Sequence, residues 1–198
     1  GTNSSSFAVN KLVNAPTGQV IITQDVKFYN NNSSILFNQD NPVTWSANAT
    51  AIRLIFTGTE NNLDGVYTRC AATPGKWYKI VLSADVTSKL CFAKVYDEGG
   101  TLLGESDITA FVNAGATAPV YLCYRTPDNS QGELDFNNVK VYTPEIDGTK
   151  FTTTVADETI SIPEAGESDV TTTLTAKALS TEGYDMVGEA TWAFDESV

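Results

Sequence analysis

With 198 residues, 41% of them hydrophobic, the chain can bury a core as one large domain or two modest ones, and wholesale disorder is excluded. A net charge of −12 without a basic patch argues against nucleic acid and anionic membranes as partners, and no apolar run approaches the ~18 residues of a membrane helix. The absence of histidine removes Ser-His-Asp and Cys-His triads and the histidine ligands of most zinc sites.

The elements read as strands throughout. Phe7–Val13 is a candidate edge strand, and Pro16 and Gly18 mark the turn after it. Val20–Tyr29 is a strong strand, followed by the polar stretch Asn30–Ser34. Ile35–Asn38 and Pro42–Ala47 are short strands, and Ala51–Gly58 is a core strand. Thr59–Gly65, dense in Asn and Asp, reads as a loop before the strand Val66–Ala71. Lys76–Asp85 and Lys89–Asp97 alternate apolar and polar residues across the break Val86-Thr87-Ser88, which predicts a hairpin. Glu98-Gly99-Gly100 turns into Thr101–Ser106, Asp107–Val112 reads as one helical turn or a loop, and Ala118–Arg125 and Gln131–Tyr142 close the series. Ten to twelve strands without a helical period predict an antiparallel β-sandwich.

Composition shifts at Thr143-Pro144-Glu145. Residues 1–144 carry a net charge of −2 and 16 aromatics; residues 145–198 carry −10 and 4. Phe151–Val155, Thr159–Ile162, Val170–Ala178 and Ala190–Phe194 are predicted strands of this second part. The expected organisation is therefore residues 1–143 as a sandwich and 144–198 as a small β unit that is either incomplete or has its last strands packed on the sandwich. Gly1 onward shows no basic region followed by an apolar one, so a processed chain, or a signal lying outside it, is expected. Cys70, Cys91 and Cys123 sit in predicted strands, either as three free buried thiols or as one Cys91–Cys123 bridge with a thiol left over.

Several stretches carry a resemblance. G-K-W-Y-K-I-V-L-S-A-D from Gly75, the strand ending K-V-Y-D-E-G-G and the closing L-D-F-N-N-V-K-V-Y resemble the concanavalin A-like, laminin-G-like jelly roll of carbohydrate-binding modules. The later run V-T-T-T-L-T-A-K-A-L-S with V-G-E-A-T-W-A-F-D resembles the first half of a bacterial immunoglobulin-like domain, with Trp192 as its core tryptophan. The likeness implies an all-β jelly-roll sandwich followed by an Ig-like segment, on a secreted or cell-surface bacterial protein of several domains. It implies polysaccharide binding without catalysis, in the service of an attached glycoside-degrading enzyme. A structural or adhesive stalk that binds no glycan is the alternative, since a superfold does not by itself give a function.

Sugar rings stack on exposed aromatic faces, with planar amides and charges holding the hydroxyls. The candidate platforms are Trp45, Tyr67 and Tyr124, with Tyr29 as a further one. Asn62 and Asp64 lie in the loop before Tyr67, and Arg69 shares its strand face; Arg125 and Asp128 follow Tyr124. The family pattern buries Trp77, which is therefore expected in the core. Glu133, Asp135 and Asn137 fall on one strand face and resemble the E-x-D-x-E signature of retaining jelly-roll glycosidases. Asn137 stands where the second glutamate would, so the chain is expected not to be an enzyme itself. The family also places an Asp near its closing strand on a structural calcium, which here implies Asp135 with backbone carbonyls as the metal site.

Overall fold

The computed structural model describes residues 6–29, 33–41, 50–56, 61–64, 66–126, 133–143, 145–154, 175–180 and 183–186. Fifteen strands and no helix occur among them. They are β1 (Ser6–Lys11), β2 (Gln19–Phe28), β3 (Ser34–Asn38), β4 (Thr50–Phe56) and β5 (Asn61–Asp64). Next come β6 (Val66–Cys70), β7 (Trp77–Asp85), β8 (Leu90–Asp97), β9 (Leu102–Glu105) and β10 (Thr109–Ala110). The last are β11 (Tyr121–Thr126), β12 (Leu134–Tyr142), β13 (Ile146–Thr154), β14 (Thr175–Ser180) and β15 (Asp185–Met186).

The predicted hairpin is β7–β8. Asp85 fixes its turn by accepting hydrogen bonds from the Thr87 backbone N–H at 2.9 Å and from the Ser88 hydroxyl at 2.8 Å. Such local side-chain-to-backbone bonding is what favours Asp in turns. Lys89 then takes φ 58°, the left-handed conformation that returns the chain into β8.

All pairings are antiparallel. Sheet A runs β1-β11-β3-β4-β5-β6 and sheet B runs β10-β8-β7-β2-β12, with β9 also on β8. The third sheet, C, is β13-β14-β15. Alternation sends one face of A and one face of B into a shared core. Phe28 of β2 stacks on Phe56 of β4 across the two sheets, with centroids 4.8 Å apart, and both rings are fully buried. Val26, Ile80, Leu82 and Val95 from sheet B meet Ile35, Phe37, Ile52 and Leu54 from sheet A in the same cluster. Each large apolar side chain buried this way contributes roughly 1.5–3 kcal/mol.

The expected all-β sandwich is present, with local differences. Thr59–Gly65 was expected as a loop; its Asn61–Asp64 is instead strand β5, hydrogen-bonded between β4 and β6. Asn and Asp are poor strand formers, but two flanking strands satisfy the backbone on both sides and override that preference. Asp107–Val112 forms neither a helical turn nor a plain loop, because Thr109 and Ala110 pair with Cys91 and Leu90. The first strand stops at Lys11, and Val13 is 97% exposed. Cys91 and Cys123 are free and buried, on sheets B and A respectively, so the alternative of a bridge between them is not realised. Burial pushes both thiols up to about 12. The predicted strands Pro42–Ala47, Thr159–Ile162 and Ala190–Phe194, with Trp192, lie outside the described residues.

Candidate functional site

Sheet B has one face in the core and one facing away from it. Tyr78, Ile80 and Leu82 of β7 are core residues, so Trp77, Lys79 and Val81 lie on the other, outer face. Register carries that face across the neighbouring strands, because directly paired residues share a side of the sheet. One row runs Asp135–Lys27–Trp77, the next Asn137–Asp25–Lys79–Tyr96, and the next Lys140–Thr23–Val81–Lys94. Aromatic rings, amides, ammonium groups and carboxylates thus converge on one surface.

The first row is a tight cluster. The Lys27 Nζ lies 5.0 Å from the Tyr29 ring centroid and 5.2 Å from that of Trp77, within cation–π range. The same ammonium pairs with Asp135 Oδ2 at 3.3 Å, and the Tyr29 hydroxyl donates to that oxygen at 2.7 Å. The Tyr29 hydrogen bond, with Lys27 as a second partner, holds the Asp135 carboxyl below the usual carboxylate range. Lys27 is raised in turn, chiefly by Tyr29 and then by Asp135.

The second row opens into a cleft of about 360 Å³ beside Trp77, where Asp25, Lys79, Asp97, Glu98 and Asn137 contribute the polar groups. Beside it β12 is irregular, with its register shifting between Asn137 and Lys140. Asn138 sits at φ 50° there, a conformation Asn tolerates better than other non-glycine residues. Its backbone N–H donates to the Asn137 Oδ1 at 2.8 Å, and its side-chain Nδ2 donates to the Asp25 Oδ2 at 2.5 Å. Bulges of this kind re-aim side chains beside binding and catalytic sites. A second cavity of about 780 Å³ shares Asp25 and Lys79 and continues past Asn138 to Lys140, Tyr142 and Tyr184.

Of the residues singled out in the sequence, Tyr29, Asp135 and Asn137 stand on this face, and the others do not gather here. Tyr124 was expected as an exposed platform and is buried: its ring stacks on Phe136 with centroids 3.8 Å apart, and its hydroxyl donates to the Gln24 Oε1 at 2.6 Å. Alternation puts Tyr124 on the core face of β11, and burial pushes its hydroxyl pKa up. Arg125, one residue on, faces out from sheet A near Arg53, whose pKa is lowered by burial and then by the Arg125 charge. Asn62, Asp64, Tyr67 and Arg69 fall on β5 and β6, with Asn62 paired to Tyr67 and Asp64 to Arg53, in sheet A rather than sheet B. Trp45 and Asp128 lie outside the described residues. Trp77 corrects the reading in the other direction: it is only partly buried and belongs to the outer face.

One Asp135 oxygen already accepts the Tyr29 hydroxyl hydrogen bond and pairs with the Lys27 ammonium, so a calcium ion on it would compete with both. Sequence reasoning missed Lys27, Lys79 and Asn138 and considered Asp25 only as a contributor to a calcium site. The available signal was the phase of alternation in Val20–Tyr29 and Lys76–Asp85, which puts Lys27, Asp25, Trp77 and Lys79 on the face opposite Val26, Phe28, Ile80 and Leu82.

No family model matches the chain, and no curated protein does. Among solved structures it is similar to one named as a sialidase, at 15% identity and TM-score 0.50, over 70% of this chain and 14% of that one. It is also similar to the catalytic domain of the glycoside hydrolase family 131 protein from Coprinopsis cinerea, at 13% identity and TM-score 0.45, over 65% of this chain and 58% of that one. The chain therefore covers less than two thirds of either matched chain. At such identities the likeness to the sialidase structure is one of fold, in keeping with the β-sandwich described above. The matched structure at TM-score 0.50 is named as an enzyme, so the expectation that the chain is not an enzyme does not stand.

Proposed function

We propose that the outer face of sheet B binds carbohydrate, on a polysaccharide-recognising unit of a secreted or cell-surface protein. One observation carries the reading: the partly exposed Trp77 ring borders a cleft whose other polar groups are carboxylates, an amide and an ammonium. An indole face takes the apolar side of a pyranose, and groups such as Asp25, Lys79 and Asn137 take its hydroxyls. The names of the two matched structures, a sialidase and a glycoside hydrolase catalytic domain, support a carbohydrate-related sandwich. Affinity electrophoresis against a panel of plant and host polysaccharides tests it. The protein should be retarded in at least one gel, and Trp77→Ala should remove the retardation. Free migration in every gel would leave the stalk reading standing instead.

A second reading, hydrolysis on the same face, is favoured by one specific observation. The E-x-D-x-E likeness lacks a carboxylate at Asn137, yet the residue paired directly with Asn137 on β2 is Asp25. The neighbouring strand thus supplies a carboxylate to the same row, and Asp97 and Glu98 line the same cleft. Glycoside hydrolysis needs two such groups flanking the bond. Release of reducing sugar from the retarding polysaccharide, lost in Asp25→Asn, would establish it. Binding without release, equal in wild type and Asp25→Asn, would reject it.

A further inference from the structure

The β13–β15 sheet reads from sequence as a separate unit following the sandwich, but one of its residues stands at the binding face. Tyr184, just before β15, has its ring 5.3 Å from the Lys79 Nζ and 6.3 Å from the Tyr142 ring, tilted by 31°. It also lines the larger cavity opposite Thr23, Asp25 and Asn138. The outer face near it is not open to solvent: Ile21, Val81 and Phe92 are 0–4% exposed although all three point away from the core. The face is thus open from Trp77 to the cavity that Tyr142 and Tyr184 line, and closed beyond it at Ile21 and Phe92.

We infer that the carbohydrate site is composite: Tyr184 of the C-terminal sheet is the far wall of a groove that starts at Trp77, and the ligand is a short oligosaccharide that fills both cavities. This rests on the carbohydrate-binding reading above and adds the length and the second wall. From the Lys27–Trp77 row to the Thr23–Lys140 row is four residues along β2, about 14 Å of extended strand. That is longer than one sugar ring, and the two cavities share Asp25 and Lys79 at their junction. Trp77 offers an aromatic surface at one end, and Tyr142 with Tyr184 offers another at the far end. The C-terminal sheet then helps set which glycan length fits and is not a passive spacer.

Two measurements on the full chain test this. The first uses no glycan: acylation of each lysine by limiting acetic anhydride, read by peptide mass spectrometry. Lys79 should react several-fold faster in Tyr184→Ala than in wild type, with Lys11 and Lys76 as internal references. An unchanged Lys79 rate would overturn the placement of Tyr184 and hence the composite site, whatever the glycan results. The second is calorimetric titration with disaccharides and tetrasaccharides prepared from the polysaccharide that retards the protein. Tyr184→Ala should weaken tetrasaccharide binding at least fivefold and disaccharide binding much less, whereas Trp77→Ala should weaken both. Equal tetrasaccharide affinity in wild type and Tyr184→Ala, with Trp77→Ala still defective, would overturn the composite groove and leave the carbohydrate reading in place. A wild-type protein retarded by no polysaccharide would overturn both.

Discussion

On the inner face of sheet B, Gln24 accepts a hydrogen bond from the Tyr124 hydroxyl at 2.6 Å in a site closed to water; on the outer face, Asp25, the next residue, accepts one from the Asn138 amide at 2.5 Å in a site open to solvent. The pairs use similar chemistry and have different consequences. Inside, a polar group that loses its partner has no water to replace it, so the bond matters for stability. Outside, water substitutes freely, so the same kind of group contributes little to stability and is available to a ligand. Aromatic residues divide in the same way. Phe28 and Tyr124 join the two sheets, whereas Tyr29 and Trp77 flank the Lys27 ammonium and Trp77 borders the cleft.

The contrast can be broken hardest at Phe28. Phe28→Ala removes a fully buried ring stacked on Phe56 and should cost about 3–5 kcal/mol in denaturant unfolding. Next comes Tyr124→Phe, which leaves the buried Gln24 amide without its bond and should cost about 1–3 kcal/mol. Adding Gln24→Leu should recover much of that loss in a double-mutant cycle, because both polar partners are then gone. Trp77→Ala should change unfolding by about 1 kcal/mol or less, the size of a solvent-exposed cation–π contact, while abolishing polysaccharide retardation. If Trp77→Ala instead destabilised the fold as much as Phe28→Ala, the distinction between the two faces would fail.

The smallest effect belongs to Asp135 and lies in its pH dependence. Its folded-state pKa is depressed, so its contribution is present above the unfolded carboxylate value near 4 and is lost as pH falls through the lower folded value. Lys27 is raised, so its contribution is present below about 10.4 and is lost as pH rises through the folded value above that. The thermal midpoint of wild type minus that of Asp135→Asn should therefore be positive and flat between about pH 5 and 9, and shrink at both ends. A difference independent of pH down to 2 would show that the Tyr29–Asp135–Lys27 cluster is not formed.

Much of the scaffold was legible because alternation is a local property. Val20–Tyr29 and Lys76–Asp97 have period-two patterns strong enough to set their own conformation, and the turn at Asp85–Lys89 carries its own bonding. Asn61–Asp64 was not legible, since its strand exists only through the two strands beside it. The site was read least well. Tyr124 beside Arg125 looks like an exposed aromatic with a polar neighbour, and in isolation Trp77 looks like a core residue. Each is placed by which side of its strand meets the other sheet, and neither residue's identity reveals that.

The sequence by itself determined an all-β chain, the β7–β8 hairpin with its Asp85-bonded turn, and the two alternating faces of each strand. Those follow from the residues' own dihedral preferences and hydrogen bonds. Only the tertiary structure decided which face became core, that Asp25 would stand opposite Asn137, and that Tyr184 would reach Lys79 from 105 positions further along the chain. Those relations depend on strand register and sheet order, which arise when distant segments exchange backbone hydrogen bonds and bury apolar surface together.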